Sequence, residues 1–347
     1  EDLRNEILLH FKREAEQVRK QVNGSVGVKV LSDVDDTLLS SGGSFPAGCD
    51  ASYPSHSVYP GCCKFYNVLD NSWTKDEPSC NLVFLSARPH VYKDLAEDKS
   101  YQTFNHLMAS DHIHSLPTLL PGKLTSGVKA MLTFRFMRTS AWRDVGHDKY
   151  ATFSDFSQLY PEYDFVFCGD DGQGDLLAGQ LMLQSNAGSS LRAVMIHQVL
   201  KNDTPLSMDS TDADMESLLG EEKRLIFHKT YLGAAVDLHY LDPALVSAQQ
   251  VADIAVAAVE DFDRVRIIVS EDWEERLAET EENLRESLAR ADAVLRQKGL
   301  EHKLPLLRTY AQVTQATELL LGDLKNEDGD DDDEEEWDTS DESTFDT

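Results

Sequence analysis

Short apolar runs that stop abruptly on polar residues recur along the chain. Val28–Leu31 runs into Asp33-Val34-Asp35-Asp36-Thr37, Leu82–Leu85 into Ser86 and a turn at Pro89, and Phe165–Cys168 into Gly169 and Asp170. A weaker run lies in SLPTLLPG, and a fifth spans Leu191–Val199. Between them, Cys62–Leu69, Lys149–Leu159 and Leu176–Leu183 carry apolar residues at helical spacing. Short apolar strands alternating with helices predict an α/β fold, a doubly wound parallel sheet covered on both faces. Ligands of such sheets bind beyond the carboxyl ends of the strands. Three of the runs end there in polar groups: Asp33 to Asp36, Ser86, and Asp170 to Asp175.

The flanks read differently. Residues 1–23 predict an amphipathic helix, broken by VNGS; charges interrupt it too often for a signal peptide. Its Glu and Asp favour packing on the chain's own core over lying on a membrane. The missing initial Met is expected of a processed or excerpted chain. Val246–Ile268 and Glu271–Leu300 predict two long helices. The second aligns Trp273, Leu277, Leu284, Leu288, Ala291 and Leu295 on one side. That side is expected to pack on the chain's own core or in a hairpin with Leu304–Leu321, ahead of a coiled-coil partner. Asp203–Leu219 reads as an acidic surface loop, and 326–347 as a disordered acidic tail.

Charge narrows the partners. The formal net charge is −30, of which the tail from Glu327 holds −13 and the rest of the chain −17. Such a surface repels nucleic acid and anionic lipid, so a phosphate-bearing substrate needs a cation or a local positive pocket. Five cysteines, Cys49, Cys62, Cys63, Cys80 and Cys168, show no CxxC spacing. They suit reduced thiols in a cytoplasmic protein, with a metal clip between 49 and 80 as the lesser reading. No apolar run approaches the length of a membrane span.

The carboxylates after Val28–Leu31 carry the chemistry. Asp-x-Asp opens a calcium loop, but that loop needs Gly at its sixth position, where this chain has Leu38. Phosphoryl transfer fits better. One carboxylate can attack phosphorus while another, two residues on, serves as general acid and then base. Two such charges about 4 Å apart repel by roughly 4 kcal/mol at an effective dielectric near 20. Asp170, with Asp171 or Asp175, adds to the crowding, and an all-oxygen donor set calls for Mg²⁺. Ser86 and the amides after it can hold a phosphoryl oxygen, and Lys149, read near the start of a helix, can offset charge. Asp36 suits turn stabilisation with Thr37. The plainer alternative is that DVDDT caps a helix or solvates a turn.

SDVDDTLL, VFLSARP, Lys149 and VFCGDDGQGD together resemble the four motifs of the haloacid dehalogenase superfamily of aspartyl phosphatases, over Val28 to about Val199. SDVDDT, YPGCCKFYNVL, GDDGQGD, AVMIHQV and YLGAA are similar to the catalytic domain of actin-patch-type phosphatidate phosphatases, as far as Asp261. The resemblance implies a Rossmann-like sheet in a domain of residues 24–261; beyond it, helical spacing predicts C-terminal helices over 262–325. It implies Asp33 as nucleophile and Asp35 as acid/base. It implies Mg²⁺ on Asp33, the Asp35 carbonyl and Asp170, helped by Asp171 or Asp175. Thr37, Ser86, Arg88 and Lys149 become contacts for the phosphate ester. LSARP departs from the SNSPW-like sequence of yeast-type enzymes and is closer to the LSAR of lipin phosphatases, which raises the weight of Arg88 as a phosphate anchor. Only about twenty residues separate Leu39 from YPGCC, too few for a full helical cap. Pro89 to His147 is long enough for a lid; its His106, His112 and His114 read as ordinary histidines ahead of metal ligands.

The expected activity is Mg²⁺-dependent hydrolysis of phosphatidate to diacylglycerol and phosphate, in a cytoplasmic protein that meets a membrane surface transiently. The alternatives are a related phosphatase for a soluble ester or phosphoprotein, and a non-catalytic membrane-trafficking scaffold whose C-terminal helices or acidic tail bind a protein partner.

Overall fold

Every residue of Val28–Ser32 and of Asp164–Asp170 is buried, which only central strands of a sheet covered on both faces achieve. The computed structural model describes residues 2–43, 49–70, 81–89, 93–122, 138–200, 223–270, 273–300, 304–309, 311–313 and 315–317. Its strands are β1 (Val28–Ser32), β2 (Leu82–Pro89), β3 (Thr118–Gly122), β4 (Asp164–Asp170), β5 (Leu191–His197) and β6 (Leu225–His228). They form one six-stranded sheet in the order β3-β2-β1-β4-β5-β6, with every pairing parallel. The chain winds outward from β1 to β3, then returns to lay β4 against the other side of β1. That reversal opens a crevice at the carboxyl ends of β1 and β4.

Alternate strand residues face two separate cores. Val30, Phe84, Val166 and Met195 join one, with α2 (Cys62–Leu69), α6 (Tyr231–Leu241), α7 (Ala248–Ile268) and α8 (Glu274–Gln297). Phe104 of α3 (Lys93–Ala109) stacks on Phe84 on that side, ring centroids 4.8 Å apart. Leu31, Val83, Phe167 and Ile196 face the other core, under α4 (Arg138–Leu159) and α5 (Asp175–Gln184). The period of two along each strand thus feeds both layers at once.

The predicted strands are all present, several longer than expected because their ends carry polar residues that the apolar runs leave out. Among the α-helices and strands, α3, β6 and α6 escaped the sequence reading. β6 has only four residues, and α6 is buried along most of its length, so it shows no polar face to reveal a helical period. α4 begins at Arg138, well ahead of the expected start at Lys149, because its first turns carry few apolar residues.

α8 packs on α6 and α7 through Leu277, Leu284, Ala291 and Leu295. Arg266 of α7 pairs with Glu281, and Arg290 with Asp237 of α6. The expectation of packing on the chain's own core holds for this helix. Residue 261 falls inside α7, and one compact unit runs Glu1–Leu307. In the second unit, Arg308–Thr347, residues 311–313 and 315–317 are helical. Residues 304–309 have no regular structure, and most of the expected helix beyond them, the loop 203–219 and the tail 326–347 lie outside the described residues.

α1 (Asp2–Val22) crosses the end of the sheet where β4 begins. Arg19 binds Asp164 Oδ1 and the carbonyls of Pro161 and Tyr163, and Arg4 reaches Asp155 on α4. Its intramolecular packing is therefore at the opposite end from the crevice. Among the described residues no helix is long and apolar enough to cross a membrane.

Leu284 is buried deep in the α8 contact. Leu284→Ala is expected to lower the unfolding free energy by about 2–5 kcal/mol in urea titration; a value near zero would mean α8 is not integral to the fold.

Candidate functional site

β1 and β4 deliver two turns to the crevice. The Asp33 amide donates to the Cys168 carbonyl at 3.0 Å, extending the β1–β4 ladder by one residue and setting Asp33 at its end. The chain then folds back within six residues. Leu38 and Leu39 amides both donate to the Val34 carbonyl, and Asp36 takes a left-handed φ of 57°. Asp35, half-buried, lies in this turn.

The second turn, Asp170 to Asp175, depends on missing Cβ atoms. A Cβ at Gly169 would lie 2.5 Å from Asp175 Cβ, so only glycine lets Asp175 fold back beside the strand end. Gly174 has a φ of +88°, and its Cβ would lie 2.3 Å from the Trp142 carbonyl of α4. A Cβ at Gly146 of α4 would lie 2.6 Å from the Gly174 carbonyl. Helix and turn thus touch backbone to backbone. That contact carries Lys149 into the site from the middle of α4, not from near a helix start as its sequence context suggested.

The result is a buried four-residue cluster. Lys149 Nζ lies 3.0 Å from Asp33 Oδ1 and 2.5 Å from Asp175 Oδ1. Asp33, Asp170 and Asp175 each offer a carboxylate oxygen, all within 4.8 Å of one another. Asp170 Oδ1 accepts from the Gly172 amide at 2.6 Å, while its Oδ2 is buried with no hydrogen-bond partner among the described residues. Three carboxylates against one ammonium leave a shortfall of positive charge. Asp33 is pushed up to about 7, by burial above all and by Asp175 and Asp35, against the pull of Lys149. Asp170 rises well above the usual carboxylate range, from burial first and then from Asp175 and Asp33. Burial would lower Lys149, yet Asp175, Asp33 and Asp170 together hold it charged.

An orphaned buried oxygen in an all-oxygen donor set fits a hard divalent cation such as Mg²⁺. Asp33, Asp170 and Asp175 are the residues that would hold it. Asp171 does not join them: its Oδ1 accepts from the amides of Val199 and Leu200, tying the turn to the exit of β5. Of the two alternatives left open by GDDGQGD, Asp175 is the one at the cluster.

Phe84 is level with Ser32, so β2 carries Ser86 to the same edge as Asp33. Thr37 is fully buried in the turn; its carbonyl accepts from Tyr231 Oη at 2.5 Å, and its Oγ1 has no hydrogen-bond partner among the described residues. The Arg88 side chain lies outside the described residues. Cys49, Cys62, Cys63 and Cys168 form no disulfide, and Cys80 lies outside the described residues. Among the described residues neither the cysteines nor His106, His112 and His114 assemble a metal-ligand cluster. Sequence reasoning passed over Gln173 and His197, which both hold Asp36; the only signal for them was their place at the two strand ends.

No protein-family model, curated protein or solved structure matches the chain.

Asp170→Asn is expected to raise the thermal midpoint in metal-free buffer, because it removes a carboxyl whose charged form is disfavoured by burial and by the neighbouring Asp175 and Asp33. With Mg²⁺ at about 100 times its Kd the wild type should gain about 2.7 kcal/mol, and the variant little. Thermal unfolding with and without Mg²⁺ checks this reversal of order.

Proposed function

We propose that the chain is a Mg²⁺-dependent phosphatase of the haloacid dehalogenase type, which hydrolyses phosphatidate to diacylglycerol and phosphate. The observation that carries the phosphatase reading is the Lys149 ammonium bridging Asp33 and Asp175 beside the unpartnered Asp170 oxygen, at the reversal point of the sheet. Phosphatidate as substrate rests on the likeness of SDVDDT, YPGCCKFYNVL and GDDGQGD to the actin-patch-type enzymes.

Asp33 attacks phosphorus with one carboxylate oxygen, and the ester P–O bond breaks as the acyl phosphate forms. Asp35, two residues on and more open, gives its proton to the departing glycerol oxygen. It then takes a proton from the water that attacks phosphorus, which releases phosphate and restores Asp33. Lys149 keeps Asp33 oriented and offsets charge on the transferred group. Bound Mg²⁺ supplies further positive charge against the phosphoryl oxygens. Ser86 contacts a phosphoryl oxygen from the neighbouring strand, with Arg88 as a second anchor. Because α1 sits at the far end of the sheet, a membrane carrying the substrate has to be met by the crevice side of the molecule.

Phosphate release from phosphatidate in mixed micelles with Mg²⁺ tests the reading. Asp33→Asn is expected to cost at least about 10³-fold in kcat, and Asp35→Asn on the order of 10²- to 10⁴-fold. Turnover of soluble esters without turnover of phosphatidate would remove the lipid assignment. A wild type inactive on every phosphate ester would overturn the phosphatase reading and favour a scaffold.

A further inference from the structure

Asp36 takes no part in the proposed chemistry, yet it is among the most heavily bonded side chains near the site. Its Oδ1 accepts from the Ser41 amide at 2.9 Å. Its Oδ2 accepts from the amides of Cys49 at 2.6 Å and Asp50 at 3.3 Å, and from Gln173 Nε2 at 3.4 Å. Its carbonyl is 3.0 Å from His197 Nδ1; a carbonyl only accepts, so that ring nitrogen carries the proton. Gln173, buried itself, lies in the second turn between Asp170 and Asp175. Asp36 therefore joins the turn after β1 to the turn after β4 and to the end of β5.

Turn geometry alone does not call for a carboxylate here. Glycine adopts a φ of 57° without cost, but it would leave four N–H donors without their acceptor. Asparagine keeps the shape, yet one of its two terminal atoms would present hydrogens to backbone amides that also donate. The segment carrying Cys49 and Asp50 is pressed directly onto the second turn, since a Cβ at Gly172 would lie 2.6 Å from Cys49 Sγ. Two routes thus lead from Asp36 to the second turn, one through Gln173 and one through Cys49.

We propose that Asp36 is a positioning residue: its carboxylate clamps the two turns at the separation a cation shared by Asp33, Asp170 and Asp175 requires. The inference rests on the metal-site reading above. Asp33 comes from one turn and Asp170 and Asp175 from the other, so a cation bridging them is sensitive to any slippage between the two. Residues that orient ligands from behind commonly change metal affinity ten- to a hundredfold when altered.

Calorimetric titration of the full chain with Mg²⁺, well below the thermal midpoint of every variant, provides the test. Asp36→Asn is expected to weaken Mg²⁺ binding by about ten- to a hundredfold, and Gln173→Leu by a smaller factor. The double variant should lose less than the product of the two, because both act through one contact. Should Asp36→Asn fail to fold, Gln173→Leu carries the test alone. A purely structural role would lower the thermal midpoint but leave the affinity of the folded protein unchanged, and that result overturns the inference. A wild type that binds no Mg²⁺ removes the metal reading and the clamp together, whereas wild-type binding matched by both single variants removes only the clamp.

Discussion

The Lys149 ammonium, buried between Asp33 and Asp175, is the contact on which the site's arrangement turns. Removing such charges from water costs several kcal/mol each, and mutual attraction offsets that only with close geometry on every side. The geometry here comes from three places distant in sequence: the end of β1, the middle of α4 and the first turn of α5. An ion pair of this kind is poor at stabilising a fold and good at specifying one arrangement. Even so, one ammonium cannot balance three carboxylates, and the surplus falls on Asp170, whose Oδ2 has no partner among the described residues. The deficit that makes the cluster costly to bury is the same deficit that makes it suited to a cation.

Close backbone approach makes that contact possible. α4 and the second turn meet backbone to backbone at Gly146 and Gly174, and Gly169 leaves room for Asp175 to turn back on the strand. Side-chain bulk at Gly146 or Gly174 would push α4 outward and take Lys149 from its partners. The sheet contributes the other half of the constraint. Because the strand order reverses between β1 and β4, the turns after both open on one crevice, and Asp36 ties them together there.

The layers beneath are conventional by comparison. Alternating residues of buried strands feed two cores, and α8 closes one of them instead of extending away as a partner-binding helix. The described part of the molecule therefore places its C-terminal long helix in the body that holds the site, and its N-terminal helix at the opposite end of the sheet.

The sequence by itself determined the strands and the residues at their ends. Runs such as VKVL and DFVFC are buried on both faces, and a continuous apolar stretch that short has few other uses, so the α/β class and the placement of Asp33 and Asp170 were legible from local pattern alone. Tertiary structure decided what local pattern does not encode. Asp171 and Asp175 are interchangeable in GDDGQGD; only the turn through left-handed Gly174 sends Asp175 inward and leaves Asp171 to cap the exit of β5. Lys149 looked like a residue near a helix start because its helix begins in a polar stretch, and its reach to Asp33 follows from a backbone contact invisible in one dimension. Asp36 reads as a turn residue until Gln173, 137 positions away, is seen to donate to it. Strand formation depends on neighbours along the chain, whereas the direction of a buried carboxylate depends on donors that only folding brings within reach.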